Sequence, residues 1–196
     1  MVHSLVDAKG LHPGAARSAP EDDEALLVHA AQERPEAFGK LYELHVDAVY
    51  RYLQLRTGTA DAADLTQQVF LRAFASLPKY KTRGLPFSAW LFRIARNLAI
   101  DHHRRRGRNP DELLPGMVQA DATTSPEQAA LQMEMLGHLR ALLRELDGEK
   151  RELLAMRFAA GLSSREIAAV VGKSEAAVKK QLTRILHTLK EKYGES

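Results

Sequence analysis

The residues best suited to chemistry in this chain are four on one face: Lys179, Lys180, Thr183 and Arg184. At helical spacing they lie opposite an apolar stripe of Val178, Leu182, Ile185 and Leu189, whose intervals of four, three and four mark one side of an α-helix. Their chemistry is recognition rather than bond-making. Arg184 carries a planar fork of donors that fits the O6 and N7 acceptors of guanine, and Thr183 offers a hydroxyl and a methyl to a base edge. Lys179 and Lys180 are point charges suited to phosphate. A helix presenting such a set must be positioned, and the residues before it are of the kinds that do so. Ser163, with Glu166 three residues on, is a capping box that opens one short helix. Ile167, Ala168 and Val171 give that helix an apolar face, and Gly172 supplies a turn. Ser174 caps the next helix, with Glu175 at its positive end. Gly161 stops the helix before the pair. The arrangement predicts a helix-turn-helix whose second helix enters a major groove. Ser174 joins the candidate contact set, as does Arg157, which faces either the DNA backbone or an internal salt bridge.

A second set lies mid-chain. Residues 79–108 hold nine Lys or Arg and a single acid, Asp101. Within them Lys79, Tyr80, Lys81, Thr82 and Arg83 sit in a loop bracketed by Pro78 and Pro86. An aromatic among cations in a constrained loop suits stacking of an extruded base with phosphate neutralisation; Tyr80 serves equally as a plug for the domain behind it. On the helix that follows, Trp90 falls on the inward stripe with Leu91, Ile94, Leu98 and Ile100, open to a core or a strand-contacting role. Arg93, Arg96, Asn97 and Arg104 are left to point elsewhere, Asn97 to a base edge or to an internal bond. A third set, Asp64, Gln67 and Gln68, stands off the Leu65, Val69, Ala73, Leu77 row of an earlier helix. Asp101, His102 and His103 do not make a metal site, because neighbours on a helix point about 100° apart; the histidines are expected along phosphate or solvent. There is no glycine-rich phosphate loop, no nucleophile beside a base and no paired carboxylate constellation, so neither catalysis nor a cofactor is expected.

The elements that must carry these sets are helices. Ala (29) and Leu (28) far outnumber Val (10) and Ile (4). The expected fold is all-α, with helices near 22–32, 35–56, 61–77 and 87–106 in a first small domain, 22–107. A second domain, 127–196, holds a long helix to about 145, one over 148–160 and the helix-turn-helix. The second helix should bury Phe38, Leu41, Tyr42, Val46, Val49 and Leu53. A mobile tail, 1–21, precedes the first domain, and a flexible acidic linker, 108–126, joins the two. Residues 109–136 carry five acids and no Lys or Arg, so the net charge of +3 understates two basic surfaces held apart by an anionic segment. The chain contains no cysteine, which excludes disulfides and thiolate metal sites. No apolar run has the length of a membrane span and no leader-like apolar stretch opens the chain. No membrane insertion is therefore expected, and the cytoplasm is the expected location.

Three patches, in this order, resemble the group IV, or extracytoplasmic-function (ECF), sigma factors of bacterial RNA polymerase. Asp64, Leu65, Gln67, Gln68 and Phe70 resemble the polymerase-binding helix of region 2. Phe87, Trp90, Leu91, Ile94, Ala95, Arg96, Asn97, Asp101 and Arg104 resemble the helix that meets the −10 element. Residues 161–180 resemble the helix-turn-helix of region 4 that reads the −35 element. The resemblance implies a four-helix region 2 and a region 4 that together steer core polymerase to promoters. It implies docking of Asp64, Gln67 and Gln68 on the β′ coiled coil and of region 4 on the β flap. It implies capture of a flipped −10 base by the 79–83 loop, and control by an anti-sigma factor. Two departures stand out: Gln68 occupies a position the family usually gives to Glu, and Ala89 precedes a single Trp90 where primary sigma factors tend to carry two neighbouring tryptophans. The second departure predicts weaker intrinsic melting and a stricter need for good promoter contacts. A stand-alone helix-turn-helix regulator is the alternative that the C-terminal residues alone would allow, and a sigma mimic that sequesters an anti-sigma factor is a third.

Overall fold

The computed structural model describes residues 21–82, 84–107, 137–139 and 141–194. The expected tail up to residue 20, the acidic linker, the start of the second domain and Arg83 lie outside the described residues, and Glu21, the last residue given to the tail, opens the first helix instead. Among those described there is no strand. The helices are α1 (Glu21–Glu33), α2 (Phe38–Thr57), α3 (Thr59–Ser76), α4 (Phe87–Arg105), α5 (Gly148–Leu154), α6 (Ser164–Val171) and α7 (Glu175–Gly194). Residues 137–139 and 141–145 are also helical.

The helix boundaries follow local chemistry. Pro35 opens a single 3₁₀ turn, Pro35–Ala37, ahead of α2, where its missing N–H costs nothing. Pro78 likewise sits in a 3₁₀ turn, Leu77–Lys79, that ends α3. Asp147 caps α5 by accepting from the Lys150 amide at 2.8 Å. α5 then widens into one π-helical turn, Ala155–Ala159, where the Ala160 amide reaches back to the Ala155 carbonyl at 3.1 Å. Gly161 leaves that turn with φ +73°.

α2, α3 and α4 pack on one another around Leu41, Val49, Leu53, Leu65, Val69, Leu91 and Leu98, all buried. Phe87 and Phe92 are nearly inaccessible, each burial stabilising by about 1.5–3 kcal/mol. Two expectations need correction. Tyr42 does not join the core stripe: it is exposed, its ring edge-on to Phe70 at 4.7 Å. His103 does not face phosphate or solvent: it is 1% exposed, its Nε2 against the Arg56 carbonyl, while His102 lies 3.5 Å from the Asp61 carboxylate.

The C-terminal helices close on the N-terminal ones. α6 packs along α4, and the π turn packs on α2. The buried apolar residues of both halves form one continuous cluster, from Val28 to Ile185.

Candidate nucleic-acid interface

The helix-turn-helix is built as its residues dictate. Ser163 Oγ accepts from the Glu166 amide at 3.2 Å, and Glu166 Oε2 accepts from the Ser163 amide at 2.7 Å. Gly172 ends α6 in the left-handed conformation, φ +73°. Ser174 Oγ accepts from the Ala177 amide at 3.2 Å, so this candidate contact is also the cap that starts α7. Ile167, Val178, Leu182 and Ile185 are buried between the helices. The opposite face of α7 turns Lys179, Lys180, Thr183 and Arg184 outward. Lys179 pairs with Glu175 one turn back at 2.6 Å, and the Thr183 hydroxyl donates to the Lys179 carbonyl at 3.0 Å. Arg157 is half-buried, and its Nη1 donates to the Leu162 carbonyl at 3.0 Å. It thereby braces the 161–163 loop, an internal role, though by a carbonyl rather than a salt bridge.

The second set surrounds a cavity of about 330 Å³ lined by Lys79, Tyr80, Lys81, Thr82, Trp90 and Arg93 with two apolar neighbours. α1 positions this region through contacts that its sequence did not announce. Gln32 Nε2 donates to the carbonyls of Leu77 and Tyr80 at 2.9 and 2.8 Å. Pro86 offers α4 no side-chain cap, so Glu24 of α1 supplies one, accepting from the Phe87 amide at 3.1 Å and pairing with His45 at 2.8 Å. Tyr80 is packed inward: it is 9% exposed, its hydroxyl on the Leu85 carbonyl at 3.2 Å and its ring 5.7 Å from Phe87. Burial, with the Glu24 charge nearby, pushes its phenol up to about 12. Trp90 is partly buried, 4.7 Å from Tyr80 and 5.3 Å from Phe87, so it belongs to the aromatic wall and to the cavity at once. Lys79, Lys81 and Thr82 are exposed, as is Asn97 one turn beyond Arg93.

The three candidate cations of α4 are engaged within the fold. Arg93 Nη2 donates to the Ala169 carbonyl of α6 at 2.6 Å. Arg96 Nε meets Glu152 of α5 at 3.2 Å. Arg104 pairs with Asp101 on its own helix at 3.2 Å. Glu152 itself is buried and accepts from the Tyr52 hydroxyl at 3.2 Å, with Arg56 at 4.0 Å. Full burial, then the neighbouring Glu152 charge, drives the Tyr52 phenol far above its ordinary value.

Asp64, Gln67 and Gln68 are all exposed on α3. Leu71, three and four residues further along, is 68% exposed on that same face, an apolar residue missed because it stands off the Leu65, Val69, Ala73 row. Among the described residues no helix is long and apolar enough to cross a membrane.

Known proteins match the chain along both of its units. A family model for sigma-70 region 2 matches residues 41–109, and one for sigma-70 region 4 matches residues 136–189. The ECF RNA polymerase sigma factor BldN of Streptomyces coelicolor is 36% identical over 179 residues, covering 88% of this chain and 68% of that one. The ECF RNA polymerase sigma factor SigD of Mycobacterium tuberculosis is 36% identical over 176 residues, covering 86% of this chain and 82% of that one. Among solved structures, CnrH in complex with the cytosolic domain of CnrY superposes with a TM-score of 0.62 at 26% identity, covering 88% of this chain and 98% of that one.

Proposed function

The chain belongs to the ECF sigma factors of bacterial RNA polymerase, and we propose that its two helical units divide promoter recognition between them. In this reading it is a transcription initiation factor that binds core polymerase and directs it to −35 and −10 elements. The observation that carries the assignment is the α7 face: Lys179, Lys180, Thr183 and Arg184 all outward on a capped second helix of a helix-turn-helix. Arg184 reads a base, Thr183 a base edge, and the two lysines phosphates of the −35 element. Ser174 orients the helix start; Arg157 braces it from behind. The −10 strand falls to Lys79, Lys81, Thr82, Arg83, Arg93, Arg96, Asn97 and Arg104, with Tyr80 and Trp90 forming the aromatic wall of the cavity that takes a base. Asp64, Gln67 and Gln68, with Leu71 beside them, dock on the β′ coiled coil, and region 4 docks on the β flap.

The relative CnrH was solved with the cytosolic domain of CnrY, and control of this chain by a protein of the anti-sigma kind is part of the same proposal. So are the boundaries of the two domains and a cytoplasmic location. Run-off transcription with core polymerase on a promoter library tests the whole reading. The expected result is transcripts that depend on both elements. A purified chain that neither associates with core enzyme nor redirects it overturns the proposal.

A further inference from the structure

Resting on the sigma reading above, we infer that α1 sets the cavity that takes the −10 base, with Gln32 and Glu24 as its positioning residues. The two side chains grip opposite ends of the segment that joins α3 to α4. At the entry, the Gln32 nitrogen donates to the Leu77 and Tyr80 carbonyls at 2.9 and 2.8 Å, which uses both protons of the carboxamide. At the exit, one Glu24 oxygen accepts from the Phe87 amide at 3.1 Å, and the other lies 2.8 Å from His45 Nε2 of α2. That amide opens α4 behind Pro86, which supplies no side-chain cap. Gln32 stands eight residues after Glu24, about 12 Å further along a helix. A single rigid rod thus fixes both ends of the segment at once.

Between those ends hangs the wall of the cavity. The Tyr80 ring lies 4.7 Å from Trp90 and 5.7 Å from Phe87, and Phe87 lies 5.3 Å from Trp90 and 5.6 Å from His45. Contacts therefore run without a gap from Glu24 and His45, through Phe87, to the two rings that line the cavity. Glu24, His45 and Phe87 are all buried, so water does not compete for the anchor at the exit. Neither α1 residue is among the described residues that line the cavity. Their effect is preorganisation: a base enters walls already at their bound spacing, and the ordering that capture would otherwise cost is met in the fold. Walls left slack would hold a base less tightly and reject a wrong one less well.

Trp90 is the chain's single tryptophan, so its fluorescence in the full-length chain reports a base stacked in the cavity. Quenching by 15-mers of deoxyadenosine and of deoxythymidine gives an apparent affinity. Gln32→Glu keeps the shape and removes both donors; it should weaken that affinity about tenfold, the loss expected of two neutral hydrogen bonds. Glu24→Leu should do the same, and Glu24→Gln, whose carboxamide oxygen still accepts from the Phe87 amide, should retain the parent value. Val28, 3% exposed on α1, supplies the control: Val28→Ala removes apolar packing without touching either anchor, and should lower Tm while leaving the quenching unchanged. The second readout is run-off transcription with core polymerase on a library randomised at both promoter elements. Gln32→Glu should flatten base preference at a −10 position and leave the −35 preferences as in the parent. Circular dichroism checks each fold, and should Glu24→Leu lose helix, Gln32→Glu set against Val28→Ala carries the test alone. Parent affinity and parent −10 preference in folded Gln32→Glu, or equal losses in Val28→Ala, overturn the inference and leave the sigma reading standing. A parent that binds the 15-mers but gives no promoter-dependent transcripts overturns the sigma reading alone. Either readout decides where the parent is silent in the other, and a parent silent in both overturns the two readings together.

Discussion

Arg184 sits where one side chain should decide one base. Its outward guanidinium is the only group of the α7 face able to bond a guanine through two parallel donors. Arg184→Ala should cost roughly 1–3 kcal/mol of promoter binding and relax preference at one −35 position, read by competition binding of the holoenzyme to single-base promoter variants. Tyr80 makes a prediction of a different kind. Its phenol titrates near 12 in the folded chain, against about 10 when unfolded. A group raised on folding contributes fully below the unfolded value and loses that contribution as pH climbs through the folded one. The parent should therefore lose thermal stability between about pH 10 and 12, and Tyr80→Phe should lose less across that interval while starting about 1 kcal/mol lower for want of the Leu85 hydrogen bond. Melting curves of both chains at pH 9 and 11 make the comparison. The chain left Tyr80 open between plug and stacking platform, and it gave no sign that His103 would be buried. Periodicity says which side of a helix is apolar, but not which carbonyl or ring waits opposite a polar residue.

Helix-scale features were legible wherever their causes are local. The capping box at Ser163 and Glu166, the turn at Gly172 and the cap at Ser174 each act within a few residues, and all three stand as expected. Gly172 is required for its dihedral, since a methyl there would meet nothing within 4 Å. Gly172→Ala should lower stability by about 1–2 kcal/mol through backbone strain alone, measured as a shift of the urea midpoint. α4 marks the limit of local reading. Its start carries no cap of its own, and the cap comes from Glu24, 63 residues earlier. α5 adds a pH dependence. Hydrogen bonds from Lys150 hold Asp147 below the ordinary carboxylate range, and those from Lys173 and Gln181 do the same for Glu149. Such depressed groups stabilise fully above their unfolded values and cease to do so as pH falls through the folded ones. Acidification below about pH 4 should therefore loosen the C-terminal helices, and the doubly amidated Asp147→Asn, Glu149→Gln chain should lose less over that range, as followed by helical ellipticity.

At the scale of the molecule, charge is distributed so that the free chain and the polymerase-bound chain should respond differently to salt. Each phosphate contact adds about 0.9 to the logarithmic salt slope of DNA binding. In the free chain, Lys180→Ala should reduce that slope by about one contact, whereas Arg93→Ala should leave it unchanged, because Arg93 is spent on the Ala169 carbonyl. With core polymerase present both substitutions should lower it. Titration of duplex and forked promoter DNA across a salt series distinguishes the two cases. The all-helical class, the order of the helices and the outward face of α7 could be read from the residues, because each depends on spacing within one element. The docking of the two halves could not, since Glu152, Tyr52 and Arg96 meet across more than fifty residues and no local pattern joins them. The π-helical turn at Ala155–Ala159 lies at that junction, its Ala159 carbonyl taken by Arg51 of α2 at 3.0 Å. The wider turn holds one residue more than ordinary α winding would, so it absorbs that residue locally. A change of one residue in length is thereby taken up at the junction itself, where Arg51 grips the turn, and the heading of the groove-reading helix is spared.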